Sequence, residues 1–212
     1  NLKKNLSLAR YSLEVMHDDF LSKDFSYEIS PSGILKIFYD KDAMNNGVLR
    51  AKKARESGTS FEILDRQRTV ELEPSLEQIS SKLCGSIYFP DDMCGDAHQF
   101  SKVLKAKCEE NGVEFFFNTK VQGLAYENKK LSGVVVKNQH FPCDICVVSA
   151  GTRSKGLLKT ANIPISVEPV KGYSVTIPIE HWKCKPKIPV IDEQKHAAVC
   201  PLGNSLRVAG TA

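Results

Sequence analysis

Phe141-Pro-Cys-Asp-Ile-Cys-Val-Val-Ser-Ala-Gly-Thr-Arg-Ser154 is the stretch whose reading decides the fold. Residues 145–149 are apolar or small and include two valines, and a run with no polar alternation suits a strand buried on both faces. They are expected to form a central strand. Ala150 and Gly151 then allow a sharp turn, and Thr152 or Ser154 can cap a short helix through Leu157 and Leu158. A strand ending in Ala-Gly before a helix start can aim backbone N–H groups and the helix dipole at a phosphate. The same residues also suit an ordinary strand-to-helix turn, so the surrounding sequence has to decide.

With 212 residues the chain can build one full core or two smaller intergrown domains. Hydrophobic residues at 42% and charged residues at 25% exclude disordered, collagen-like and coiled-coil classes. The net charge is only +4, and the densest basic run, Arg50-Ala-Lys-Lys-Ala-Arg55, has no interleaved aromatic residues. It reads as a solvated helix face, not a nucleic-acid surface. Seven cysteines at 84, 94, 108, 143, 146, 184 and 200 show no repeated spacing and read as free cytosolic thiols. Cys143 and Cys146 form a Cys-x-x-Cys, but residues three apart on a strand face opposite ways, which disfavours a metal clip or a dithiol. No apolar run approaches the roughly 18 residues of a membrane helix, so any membrane contact is expected to be peripheral.

Leu2, Leu6, Ala9, Leu13, Met16 and Phe20 recur at spacings of 4, 3, 4, 3 and 4, one stripe of a helix running from the first residue. No cap precedes this helix and no terminator follows the last expected strand, so the chain reads as a middle fragment of a longer one. Residues 27–29 and 34–39 flank Pro31-Ser-Gly33 and read as a hairpin. A helix is expected over 42–57, a strand over 61–64, and a short helix capped by Asp65 and ended by Pro74. A strand at 85–89 leads to Asp96-x-x-Gln99, a capping box for a helix that buries Phe100, Val103, Leu104 and Cys108 and stops at Asn111-Gly112. With a further strand at 113–117, residues 85–117 should form a β-helix-β crossover. A hairpin over 121–126 and 131–136 leads into the central stretch. After Pro164, strands are expected over 167–179, 188–192, 196–201 and 206–212, with a turn at Gly203-Asn204. Asp91, Asp92, Cys94, Asp96 and His98 match no metal-ligand spacing and Asp96 is accounted for as a cap, so no metal site is expected.

Several stretches resemble one family in collinear order. They are Pro90-Asp-Asp-Met-Cys-Gly-Asp-Ala-His-Gln-Phe100, residues 144–151, Pro169-Val-Lys-Gly-Tyr-Ser-Val-Thr-Ile-Pro178, Asp192-Glu193 and Leu206-Arg-Val-Ala-Gly-Thr-Ala212. More loosely, Ala9-Arg-Tyr-Ser12 and Glu73-Pro-Ser-Leu76 join them. The resemblance is to the bacterial D-amino acid dehydrogenase small subunits, within the FAD-dependent D-amino acid oxidase and glycine/sarcosine oxidase superfamily. It implies a mixed α/β chain with an incomplete Rossmann-like FAD-binding portion at 81–164 and an antiparallel-sheet substrate domain at 1–80 and 165–212. Val121 would meet the adenine end of FAD, with Ser149, Ala150 and Gly151 approaching the cofactor. The implied reaction is oxidative deamination of a D-amino acid to a 2-oxo acid and ammonia, with electrons passed to a quinone or respiratory chain. The implied location is cytoplasmic, peripheral to the inner membrane.

By the same resemblance Lys171 and Tyr173 are substrate-side candidates, although Tyr173 equally suits a half-buried strand aromatic and Lys171 a surface charge. Arg207 is a candidate partner for a substrate carboxylate. The departure from the family is plain: none of the thirteen glycines lies two residues from another, so no Gly-x-Gly-x-x-Gly is present. The chain by itself is therefore expected neither to hold FAD tightly nor to turn over an amine. An oxygen-using glycine- or sarcosine-type oxidase and a non-catalytic remnant of the fold are the alternatives.

Overall fold

A computed structural model describes residues 2–16, 18, 27, 29–128 and 130–211. In chain order the elements are α1 (Leu2–Val15), β1 (Ile29–Ser30), β2 (Ile34–Phe38), α2 (Lys41–Arg55), β3 (Glu62–Asp65), α3 (Arg66–Leu72), a 3-10 helix (Pro74–Lys82), β4 (Gly85–Phe89), β5 (Cys94–Gly95) and α4 (Ala97–Glu110). There follow β6 (Val121–Glu127), β7 (Lys130–Val136), β8 (Gln139–Pro142), a 3-10 turn (Gly151–Arg153), α5 (Ser154–Lys159), β9 (Gly172–Pro178), β10 (Val190–Asp192), β11 (Ala197–Leu202) and β12 (Ser205–Thr211). Two compact units result, one from residues 1–110 with 172–212 and the other from 111–171. The sequence reading placed its boundaries at 80/81 and 164/165. Phe20 of the N-terminal stripe, Glu28 of the expected hairpin and Ala212 lie outside the described residues.

The first unit is organised by a seven-stranded sheet in the order β3-β4-β2-β10-β11-β12-β9. Only the β2–β10 pairing is parallel. Leu35 and Ile37 of β2 are buried with Leu64, Leu76, Leu83, Ile188 and Val190, while Phe38 joins Ala51, Phe61 and Ile87. Helix α2 can lie close to β2 because Gly47 faces the Phe38 ring, where a Cβ would come within 2.6 Å. Asp40 caps α2 by accepting from Ala43 N at 2.7 Å, and Asp65 caps α3 by accepting from Arg68 N at 2.8 Å.

Four expectations are corrected. Residues 29–30 do not form a hairpin with β2 but pair with β5, because the chain leaves one sheet for another at Pro31-Ser-Gly33, where Tyr88 Oη donates to Ser32 O. Strand β4 takes antiparallel partners on both sides, β2 and β3, and residues 113–116 belong to no strand, so there is no β-helix-β crossover over 85–117. Residues 145–149, the expected central strand, are also outside any strand, with Ile145 83% and Val147 84% exposed. Their apolar run has no neighbouring strand among the described residues to complete a ladder. The helix over 97–110 does form, yet Phe100, Val103, Leu104 and Cys108 are half-buried, not buried. In the second unit the hairpin forms and gains a third strand, β8, through Lys137-Asn138, both at positive φ.

Two polar devices fasten β10. Glu73 is fully buried; its Oε2 accepts from Lys187 N and Ile188 N at 2.7 Å each, and its Oε1 from Ser75 N at 3.1 Å. Beyond β10, Tyr39 Oη donates to Asp192 Oδ2 at 2.7 Å, while Glu193 accepts from Lys36 Nζ at 2.8 Å and Arg50 Nη2 at 2.5 Å. Burial opposes ionisation of Glu193, but Lys36 and then Arg50 outweigh it and hold its carboxyl below the ordinary 4.5.

Replacing Glu73 by alanine strands the two N–H groups of 187 and 188, and bonds to charged groups are worth about 1.5–3 kcal/mol each. Glu73→Ala should therefore cost about 3–6 kcal/mol in urea unfolding, against less than about 0.5 kcal/mol for Glu71→Ala on the exposed face of α3. Equal midpoints for the two variants would remove Glu73 from this role. Glu193 has the lower value in the folded state, so its contribution is complete above 4.5 and is lost as pH falls through the folded value. Glu193→Gln should lower Tm at pH 7, and the gap to the parent should close in melts below pH 4.5.

Candidate functional site

In the first unit a cleft of about 400 Å³ lies between the start of α4 and the β9–β12 edge of the large sheet, a volume in the range of small-molecule sites. Gly95, Asp96 and Gln99 line one side, and Thr176, Ser205 and Arg207 the other. Asp96 is held by its own helix: Oδ1 accepts from Gln99 N at 3.0 Å and His98 N at 2.8 Å. The Gln99 N–H, opposed by burial and helped by the His98 N–H, leaves its carboxyl below the usual range.

Arg207 is set by register. It lies opposite Thr176 on β9 and Cys200 on β11, and its Nη2 donates to Ser174 Oγ at 2.8 Å. That bond orients the guanidinium and uses one of its five donors. Side chains alternate along a strand, so Ser174 and Thr176 share the face that Arg207 reaches, and Tyr173 with Val175 takes the other. A cation beside two hydroxyls and a carboxamide suits a small anion that also carries polar groups, such as a carboxylate.

The second unit gathers the residues singled out around the Ala-Gly turn. Gly151 has φ +56°, the left-handed region, and a Cβ built there would meet nothing within 4 Å. Ser149 and Ala150 are exposed. Ser154 does not cap α5: its buried Oγ accepts from Ala150 N at 3.1 Å, which closes the turn, and Arg153 holds the N-cap position. Val121 opens β6 opposite Val136 and is 37% exposed, and Gly123 of the same strand lies beside Thr160 at the end of α5. Lys171 is the last residue of this unit, whereas Tyr173 belongs to β9 of the other and is 57% exposed.

Gln99, Thr176 and Ser205 were not anticipated as cleft residues. Their signal was the company they keep: each lies within or beside one of the stretches quoted above. Among the described residues no group of three or more His, Cys, Asp or Glu is arranged to hold a metal ion. No helix among them is long and apolar enough to cross a membrane.

Residues 2–212 match the DAO family, FAD dependent oxidoreductase. The chain belongs to that family. It is 33% identical to the D-amino acid dehydrogenase of Vibrio atlanticus over 212 residues, covering 100% of this chain and 51% of the relative. Against the D-amino acid dehydrogenase of Vibrio cholerae serotype O1 the figures are 34%, 100% and 50%. The chain thus spans about half the length of the curated relatives it matches. Among solved structures it resembles L-proline dehydrogenase from P. horikoshii with a TM-score of 0.80 at 18% identity, covering 96% of this chain and 54% of that one. It also resembles the FAD-bound L-alpha-glycerophosphate oxidase from Mycoplasma pneumoniae, TM-score 0.77 at 14% identity over 99% and 56% of the two chains.

The mixed α/β class and the FAD dependence of the family agree with the reading of the sequence. The turn at 149–151 fits one edge of such a cofactor: a small-residue backbone, a left-handed glycine and open space where its Cβ would stand. The Gly-x-Gly-x-x-Gly that cradles a pyrophosphate is not in this sequence.

In the full-length protein, Gly151→Val should reduce flavin retained after desalting far more than Cys143→Ser. A β-branched residue resists φ near +56° and fills the open space, while Cys143 sits at the far end of β8, its N–H on Ser132 O. Equal flavin absorbance in the two variants would count against the turn.

Proposed function

We propose that the whole protein is a D-amino acid dehydrogenase, oxidising D-amino acids to 2-oxo acids and ammonia and passing the electrons to a quinone or respiratory chain. The observation that carries this reading is the convergence on one cleft of the stretch at 90–100, the strand at 172–178 and the strand at 205–211 around Arg207. The cleft has the cation and hydroxyl groups that an amino acid carboxylate requires. Further support comes from the full coverage of this chain by relatives named D-amino acid dehydrogenase.

FAD, when bound, supplies the acceptor for the hydride of the substrate α-carbon. The chain's own residues have the task of orientation. Arg207 takes the carboxylate, Thr176 and Ser205 offer hydroxyls beside it, and the bond from Arg207 to Ser174 keeps the guanidinium from swinging away. The substrate amine must shed a proton before the hydride leaves; the resulting imino acid takes up water and releases ammonia. In this reading 81–164 belongs mainly to the flavin-holding part, with Val121, Ser149, Ala150 and Gly151 beside the cofactor, and 1–80 with 165–212 mainly to the substrate part, with Lys171 and Tyr173 as further substrate-side residues. The site of action is the cytoplasmic side of the inner membrane, by peripheral contact.

Full-length protein loaded with FAD should reduce a quinone-like dye with D-alanine and not with L-alanine. Stoichiometric hydrogen peroxide with sarcosine would instead assign it to the oxygen-using amine oxidases. Arg207→Ala should raise KM for D-alanine about 30- to 100-fold, the equivalent of about 2–3 kcal/mol for a charge-assisted pair, with kcat within a few-fold. An unchanged KM would place the carboxylate elsewhere.

A further inference from the structure

Cys94 and Cys200 lie on different sheets yet meet. Cys94 is the Cα partner of Ser30 in the β1–β5 ribbon, and β1 packs on β11, the strand of Cys200. The neighbours converge from both sides: Ser30 and Pro201 line one hollow, and Gly95 and Leu202 line the cleft. The strand pairing and these shared linings bring the two thiols together, close enough for each to shift the other's titration, and both side chains are half-buried. Cys84, by contrast, turns its thiol to Met44 Sδ at 3.7 Å.

We propose that Cys94 and Cys200 are a redox pair that closes reversibly to a disulfide when exposed to a low-molecular-weight disulfide. The Cys200 thiol beside it favours the Cys94 thiolate and brings its titration down to about 7, and Cys200 is correspondingly pushed up. Cys94 is therefore the attacking sulfur and Cys200 the resolving one. The Cys94 thiolate attacks one sulfur of the small disulfide and expels a thiolate. Cys200 then loses its proton and attacks Cys94 Sγ, expelling the second. Two protein thiols give up two electrons and two protons, and the small disulfide becomes two thiols. The new bond ties β5, whose Gly95 lines one wall of the cleft, to β11, whose Leu202 lines another. The reaction requires neither flavin nor substrate.

The full-length flavoprotein, reduced and then treated with one equivalent of oxidised glutathione at neutral pH, should release two glutathione thiols per chain. Peptide mass spectrometry without reduction should recover one cross-link between Cys94 and Cys200, lighter by two hydrogens and abolished by dithiothreitol. Cys184, exposed, should be recovered alkylated. In Cys200→Ser, Cys94 should stop at the mixed disulfide with glutathione and only one thiol should be released. In Cys94→Ser, Cys200 should remain alkylated. Recovery of both cysteines from the parent protein as separate alkylated or glutathionylated peptides would overturn the proposal, and this readout needs no variant to fold.

Discussion

The buried carboxyl group of Glu73 sets the position of half the large sheet. A fully buried polar group without partners would cost several kcal/mol, and Glu73 avoids that cost by accepting N–H groups from Ser75 nearby and from the distant pair Lys187 and Ile188. The second of these fixes the approach to β10. With 187 and 188 held, Pro189 O meets Leu35 N at 2.9 Å and the parallel β2–β10 ladder begins. Strands β11, β12 and β9 then follow from β10 by antiparallel pairing. The place of Arg207 and Thr176 is thus set by an acceptor more than a hundred residues earlier in sequence. The turn after β10 repeats the logic at the surface, with Asp192, Glu193 and Gln194 engaging Tyr39, Lys36, Arg50 and Asp40.

Local structure was legible in the residues, and partnership was not. Asp65, Asp96 and the Gly203-Asn204 turn act at the positions their chemistry suggested, because a cap or a tight turn is decided within a few residues. Strand β4 illustrates the other case. Its five residues read correctly as a strand, but nothing in Gly85-Ser-Ile-Tyr-Phe89 says that its neighbours are β2 and β3 and not the stretch after α4. Likewise Ile29 and Ser30 have the composition of a hairpin arm, and only Cys94 and Gly95, far along the chain, decide that they pair elsewhere. The Lys137-Asn138 turn escaped notice because it lacks glycine; asparagine and lysine take the left-handed conformation there at φ 62° and 48°.

For the candidate site the same division holds. Arg207 and the stretches that line the cleft were recognisable, yet Gln99, Thr176 and Ser205 were not, because a strand's two faces are told apart only when its register is known. Tyr173 drew attention as the aromatic of its motif, but Ser174 and Thr176 share the face that Arg207 reaches.

The stretches at 113–117 and 145–150 show what remains to be satisfied in the second unit. Ile145 and Val147 are 83% and 84% exposed, and Phe116 and Phe117 62% and 63%, although both runs have the composition of strands covered on two faces. Burying a side chain of this size contributes roughly 1.5–3 kcal/mol, so covering these four would contribute about 6–12 kcal/mol, as much as the net stability of an ordinary domain. The Ala-Gly turn at 150–151 is the direct continuation of one of these runs. Whatever surface completes the ladder along 145–149 therefore also fixes the direction in which the turn presents its backbone. On this argument, folding of the second unit and formation of the proposed cofactor edge at Gly151 are one event, driven by burial of the same apolar run.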